Sequence, residues 1–331
     1  MKPLAQVTRA TQRNRWRRLG ERALQRYGIE DTKLRFVSDT ASIVFRVDAP
    51  GQRYVLRIDP EPADAEWLSM LQAELHWLSA LRRDTALAVP EPMAARGGTS
   101  VQVVSVESIP DPHLVTLLRW MPGRLIGNHP TRKLMAQVGA FMAHLHRHAE
   151  HFVLPDGASR PHTAWDKLSY WQDPRNDTSA TLAAQQRDLC AAASERLLTD
   201  IERIGTDSDY GLIHADLHLG NCLLCDGTLQ VIDFGDCRFA SYFYDIAVPL
   251  TFLVEHQDHE ALRATLYDGY TRVRSLPDHA EAAVQTFTVA RAFDLIEWIH
   301  LDWPSPTYRP WGPQLLASSI QQIRDYQSDS A

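Results

Sequence analysis

The chain has 331 residues, of which 44% are apolar and 23% charged, with a formal net charge of −7 and a pI near 6.0. This is ordinary globular composition in a chain too long for one core, so two domains or lobes are expected. The acidic balance gives no overall attraction to nucleic acid or anionic membrane, and no apolar run approaches the ~20 residues that span a bilayer, so neither partner is expected and the location expected is cytoplasmic.

The chain opens on eight basic residues (Lys2, Arg9, Arg13, Arg15, Arg17, Arg18, Arg22, Arg26) against one acid, Glu21. An organellar targeting peptide can look like this, but the stretch has no serine and no apolar h-region follows it. It reads instead as a solvated helix ending at Tyr27, with Gly28 as its C-cap.

Three strands come next. Leu34–Val37 is a short apolar run, Ile43, Phe45 and Val47 alternate with Val44 and Arg46, and Tyr54–Ile58 follows the turn Pro50-Gly51. Together they predict an antiparallel meander. A helix over 64–83 carries Trp67, Leu71, Leu78 and Leu81 along one face, and Glu74 falls in the same stripe. A carboxylate there either reaches water at the stripe's edge or needs a cation. Val89-Pro90-Glu91-Pro92 breaks the helix; strands at Val101–Val106 and Val115–Trp120 complete a small sheet, and Met121-Pro122-Gly123 marks a lobe boundary. The expected division is therefore 1–120 and 121–331, with an α+β fold class. The second part reads as helices near 132–148, 182–204, 260–273 and 281–300, interrupted by one β-rich island at 212–232, with a frayed tail at 327–331.

The island carries the chemistry. Cys222 and Cys225 form a C-x-x-C, but without a second matched pair they read as a strand, Cys222-Leu223-Leu224-Cys225, closed by the turn Asp226-Gly227. Around this hairpin stand His214-Ala-Asp216-Leu-His218-Leu-Gly-Asn221 and then Asp233-Phe234-Gly235. This is the kinase pattern H-x-D-x-x-x-x-N followed by D-F-G. A hairpin brings the residues at its open ends together. Oxygens from Asn221 and Asp233 suit Mg²⁺, which takes one or two protein oxygens and fills its sphere with phosphates and water. Asp216, five residues upstream of Asn221, is left to accept the proton of an attacking hydroxyl. His214 supports the loop by hydrogen bonding; His218 and Asp236 are secondary candidates.

These motifs, with Leu212-Ile213, Gly220, Ile232, Tyr244-Asp245-Ile246-Ala247, Tyr54-Val55-Leu56-Arg57, Val89–Pro92 and the helix from Gly139 to Leu145-His146, resemble the aminoglycoside phosphotransferase and choline kinase superfamily. The likeness is nearest its branch of type II homoserine kinases and stress-response Ser/Thr kinases. The resemblance implies a two-lobed protein-kinase-like fold, with an ATP-binding antiparallel-sheet N-lobe and a mostly helical C-lobe, and ATP with Mg²⁺ as cofactors. It implies that Arg57 pairs with Glu74 and touches the ATP phosphates where protein kinases use Lys. It places the phosphate-covering loop at residues 38–42, where Ser38, Thr40 and Ser42 offer hydroxyls but no glycine stands, and where Asp39 would have to point away from the nucleotide. It places the adenine-binding hinge at Leu118–Met121, including Arg119. Many relatives carry an acid where Gly235 stands; here Asp236 follows it.

The hydroxyl-bearing acceptor is expected in the helical lobe near Asp294, Glu297 and Trp298, followed by Asp302 and Trp303. Carboxylates beside tryptophans suit an amine-bearing substrate, but Arg291, Asp294 and Glu297 can equally form an ion-pair ladder over a Trp core. Three functions stay open: a kinase of small alcohols (amino alcohol, amino acid, sugar or aminoglycoside-like), a stress-response protein Ser/Thr kinase, and a nucleotide-binding regulator without catalysis. A two-metal phosphoesterase would need more His and Asp ligands.

Overall fold

The computed structural model of the protein describes residues 4–127, 129–163, 165–173, 176–205, 209–302 and 312–328. Lys2, Trp303 and the end of the expected frayed tail, 329–331, lie outside them. In chain order the elements are α1 (Arg9–Tyr27), β1 (Lys33–Asp39), β2 (Ile43–Ala49), β3 (Gln52–Pro62), α2 (Ala65–Asp84), β4 (Val101–Val106), β5 (Ile109–Arg119), β6 (Arg124–Leu125) and α3 (Arg132–Ala149). They continue with α4 (Ala184–Ile204), β7 (Tyr210–Ile213), β8 (Cys222–Cys225), β9 (Thr228–Val231), β10 (Arg238–Ser241), α5 (Tyr242–Thr251), α6 (His259–Thr271), α7 (Ala280–Asp302) and α8 (Gly312–Ser328). Short 3₁₀ turns lie at Trp165–Gln172 and Leu219–Asn221.

The chain forms two units: Met1–Leu125, His151–Arg160 and Cys222–Gly235 in the first, Ile126–Glu150, Pro161–Asn221 and Asp236–Ala331 in the second. A single cut at residue 120 is thus replaced by a discontinuous division. The reason is pairing: the β8–β9 hairpin bonds β6 (Arg124 opposite Leu224), and the Val231 N–H reaches the Ala88 carbonyl at 3.1 Å.

The first unit holds a five-stranded antiparallel sheet, β1-β2-β3-β5-β4. The expected meander is its first half. α1 ends where Gly28 adopts φ 71°, its N–H closing on the Gln25 and Leu24 carbonyls. It is not solvated all round: Trp16, Leu19, Ala23 and Leu24 are buried with Phe45, Val47 and Leu56 of the sheet. The approach is close at Gly20, where a Cβ would lie 2.7 Å from a Leu56 methyl. α2 is capped by Asp64, which accepts from the Trp67 N–H at 2.7 Å. Its buried face is Ala73, Glu74, Leu75, Trp77, Leu78 and Leu81. Trp67 is 37% exposed, whereas Trp77 is fully buried and is the helix's aromatic anchor.

In the second unit α3 and α6 pack through glycine. A Cβ on Gly139 would lie 2.0 Å from the Leu266 carbonyl oxygen, and one on Gly269 would lie 2.1 Å from that of Ala136. Every residue of α5 is buried. The strands β7 and β10 pair antiparallel. Among the described residues no helix is long and apolar enough to cross a membrane.

Candidate active site

In the second unit, the loop after β7 presents Asp216. Its neighbour Ala215 has φ 67°, a left-handed conformation that costs a non-glycine residue about 1 kcal/mol. Asp245, in the first turn of α5, holds that shape: its carboxylate accepts the backbone N–H groups of His214 at 3.2 Å and Ala215 at 2.8 Å. Asp245 also accepts from His146 Nε2 at 3.0 Å, while His146 Nδ1 meets the Tyr270 hydroxyl at 2.9 Å. All of this is buried. Burial pushes His146 below the usual histidine range against the pull of Asp245, so the ring is neutral, with Nε2–H donating. Burial would raise Asp245, but the His146 hydrogen bond outweighs it and holds the carboxyl below its ordinary value. His214 is buried and accepts the Asp216 N–H at 3.2 Å through Nδ1, which makes it a support of the loop rather than a base.

The Asp216 carboxylate is fixed from both sides. Oδ1 pairs with the Arg291 guanidinium, and Oδ2 accepts from Asn221 Nδ2 at 2.9 Å, with His218 Nε2 at 3.5 Å. Burial alone would raise its pKa; Arg291, His218 and His214 outweigh burial and keep the group well below the usual carboxylate range. Asn221 also donates to the Asp216 carbonyl at 2.9 Å. Asp236 is pushed up, first by burial and then by Asp216.

In the first unit, Arg57 on β3 donates to Glu74 at 2.9 Å and to Thr116 at 3.2 Å. Glu74 is fully buried, so the stripe's carboxylate does find a cation. It has a second one that the sequence does not advertise: Arg160, buried, lies 3.6 Å from Glu74 and donates to the Gly235 carbonyl at 2.8 Å. Phe234 packs edge-on against Trp77, one turn beyond Glu74 on α2. Arg160 and Phe234 thus moor the Asp-Phe-Gly segment, where Asp233 has φ 66°, to the Glu74 helix. Arg160→Met leaves the Gly235 carbonyl and part of Glu74 without a charged donor, and is expected to lower stability to urea unfolding by about 1.5–3 kcal/mol.

The phosphate-loop residues divide. Ser38 and Asp39 are ladder residues of β1, opposite Val44 and Ile43, and only Thr40, Ala41 and Ser42 form the turn. Asp39 faces Arg13 of α1 at 3.5 Å, so its charge has a partner on its own unit. Arg119 closes on Glu91 at 2.5 Å and Gln52 at 2.7 Å; Met121 follows the end of β5 in irregular backbone.

The donor chemistry of the expected metal residues fits a hard cation. Asn221 spends its N–H₂ on Asp216, which fixes the amide and leaves its oxygen as the ligand atom, and Asp233 supplies a carboxylate. Among the described residues no three His, Cys, Asp or Glu gather into a metal cage. Cys222 is buried in β8 and Cys225 lies at its end, neither of them in a disulfide.

At the expected acceptor site Asp294 is committed: Lys167 at 2.5 Å on Oδ1, and Arg238 at 3.2 Å with the Tyr244 hydroxyl at 2.6 Å on Oδ2. It anchors cations rather than offering itself to an amine. Glu297 is pushed up by burial, and Trp298 is half-buried. Arg291 is not a rung beside Asp294; it turns to Asp216.

A model of the phosphotransferase enzyme family matches residues 33–284. The chain is 23% identical to amicoumacin kinase of Bacillus subtilis over 69% of its own length and 65% of that protein, so it spans just under two thirds of that relative. It is 26% identical to homoserine kinase of Azorhizobium caulinodans over 83% of its length and 79% of that protein. The solved structure of a microcompartment-associated aminopropanol kinase superposes with a TM-score of 0.78 at 26% identity, covering 93% of this chain and 96% of that one. The fold is that of the protein-kinase-like phosphotransferases. With its match running from the first strand of the sheet into α7, the chain belongs to the phosphotransferase enzyme family.

Proposed function

We propose that this chain transfers the γ-phosphoryl group of ATP to a hydroxyl of a small molecule. The observation that carries the reading is Asp216: a carboxylate set by a strained backbone that Asp245 holds, steadied by Asn221 and kept ionised by Arg291. Such a group is built to accept a proton at a fixed place. In the reaction the acceptor hydroxyl gives its proton to Asp216 as its oxygen bonds the γ-phosphorus. The bond from that phosphorus to the β–γ bridging oxygen breaks, and ADP leaves. Asn221 and Asp233 would hold Mg²⁺, which supplies charge neutralisation on the phosphates. Arg57, oriented by Glu74, reaches the phosphates through a charge that does not deprotonate. The turn hydroxyls of Thr40 and Ser42, with Ser38 beside them, offer hydrogen bonds over the triphosphate, and the backbone at Arg119–Met121 reads adenine. A cytoplasmic location goes with the use of ATP.

Relatives named for amicoumacin, homoserine and aminopropanol support a small acceptor. Transfer of label from [γ-³²P]ATP with Mg²⁺ to a panel of amino alcohols, hydroxy amino acids, sugars and aminoglycosides, with a generic protein acceptor alongside, tests this. Label in a small molecule is the expected result; label in protein alone, or ATP binding with no transfer to anything, overturns it.

A further inference from the structure

Arg160 is a costly residue where it stands in the first unit. Its side chain is 2% exposed, and taking a guanidinium out of water is unfavourable unless good contacts replace the water. Neutralising Glu74 does not account for it, because Arg57 already donates to that carboxylate at 2.9 Å while Arg160 stays 3.6 Å away. The closest contact of Arg160 is instead the Gly235 carbonyl, to which it donates at 2.8 Å.

That carbonyl closes the segment Asp233-Phe234-Gly235. Asp233 stands at φ 66°, and a left-handed residue other than glycine keeps that shape only where its surroundings over-determine it. Phe234 fixes the segment's middle by packing on Trp77, and Arg160 fixes its end, two residues beyond Asp233. The stretch that carries Arg160 is itself tied to α2. Ser69 Oγ donates to the Gly157 carbonyl at 2.8 Å and lies 3.0 Å from Ser159 Oγ. One helix therefore supplies both Glu74, which orients Arg57, and Ser69, which holds the residues just before Arg160.

Resting on the reading of Asp233 as a Mg²⁺ ligand, we propose that Arg160 is a positioning residue for the metal. It fixes the Asp233 backbone through the Gly235 carbonyl. Because it also faces Glu74, it ties the metal-binding segment to the arginine that meets the phosphates. Groups that orient a metal ligand without touching the metal are worth about 10–100-fold in metal affinity. Arg160 acts through the backbone, so the lower end of that range is expected.

Displacement of a fluorescent ATP analogue by ATP, titrated against free Mg²⁺ and repeated in EDTA, tests this. In Arg160→Met the half-saturating Mg²⁺ is expected to rise about tenfold while metal-free ATP affinity stays within about twofold, since the residue acts on the metal ligand and not on the nucleotide. A general packing defect weakens both together. Arg160→Lys keeps the charge and the fold but not the planar fork, and its Mg²⁺ requirement is expected to rise about threefold, between wild type and Met. An unchanged Mg²⁺ requirement in the variants, or an equal loss of metal-free and Mg²⁺-bound affinity, overturns the proposal and leaves Arg160 a structural residue. Wild-type ATP binding that is indifferent to Mg²⁺ overturns the reading of Asp233 as ligand and the proposal with it. Failure of the acceptor panel with Mg²⁺-dependent binding intact overturns the transfer reading alone.

Discussion

Asp216→Asn keeps its affinity for Mg·ATP and loses about 10²–10⁴-fold in phosphoryl transfer, the range that a positioned general base contributes. The geometry says why the amide cannot stand in. Asp216 presents two acceptor oxygens, one to Arg291 and one to Asn221. An amide has one oxygen, so one of those donors loses its partner and no ionised acceptor is left for the hydroxyl proton. Burial would raise Asp216, but Arg291 and the two histidines outweigh it and hold the carboxyl below the usual carboxylate range, so it is ionised at and above the ordinary carboxylate value. The wild-type rate therefore shows no acid limb from this residue above about pH 4. Single-turnover transfer and nucleotide titration, measured on the same preparation, check both halves. A variant with unchanged turnover would show that Asp216 is not the proton acceptor; one that no longer binds nucleotide would show that Asp216 shapes the nucleotide site itself.

What the sequence makes legible here follows from physics acting locally. The meander, the Gly28 cap and the Cys222–Cys225 strand were readable because turn residues and period-2 alternation are local signals. The stripe marks Glu74 as a carboxylate that needs either water or a cation, and it is the family resemblance that names Arg57 as its partner. α5 escaped because a helix buried on every side has no polar face and so no period, and it carries Pro249 as well. α8 also went unread, although Ser319, Ile320 and Ile323 form its buried side. Arg160 was illegible: a lone arginine between Ser159 and Pro161 carries no pattern, and its role exists only once the chain returns to the first unit. At the acceptor region the sequence leaves an amine site and an ion-pair ladder both open, because Lys167 lies 127 residues from Asp294 and Arg238 56, so neither is visible as its counter-ion.

Asp245 is the place where stability and catalysis meet most directly. In Asp245→Ala three buried donors lose their acceptor at once: the His214 and Ala215 N–H groups and His146 Nε2–H. The expected cost is about 3–5 kcal/mol, read from denaturant midpoints. The rate falls too, by about 10²-fold, because the left-handed Ala215 is no longer held and Asp216 moves off its position. The pH dependence separates this network from a generic packing defect. His146 has its folded pKa depressed, so the unfolded chain takes up the proton first and stability declines as pH falls below about 6.5. The folded pKa of Asp245 is depressed as well, so its contribution is complete above the usual carboxylate value and is lost as pH falls through and below it. The two run in the same direction, one starting near neutrality and the other near pH 4. The alanine variant keeps the first decline and loses the second, so its stability curve is flatter than wild type in the acid range. Parallel curves offset by a constant would mean that Asp245 acts only by filling space, and that the loop carrying Asp216 is held by something else.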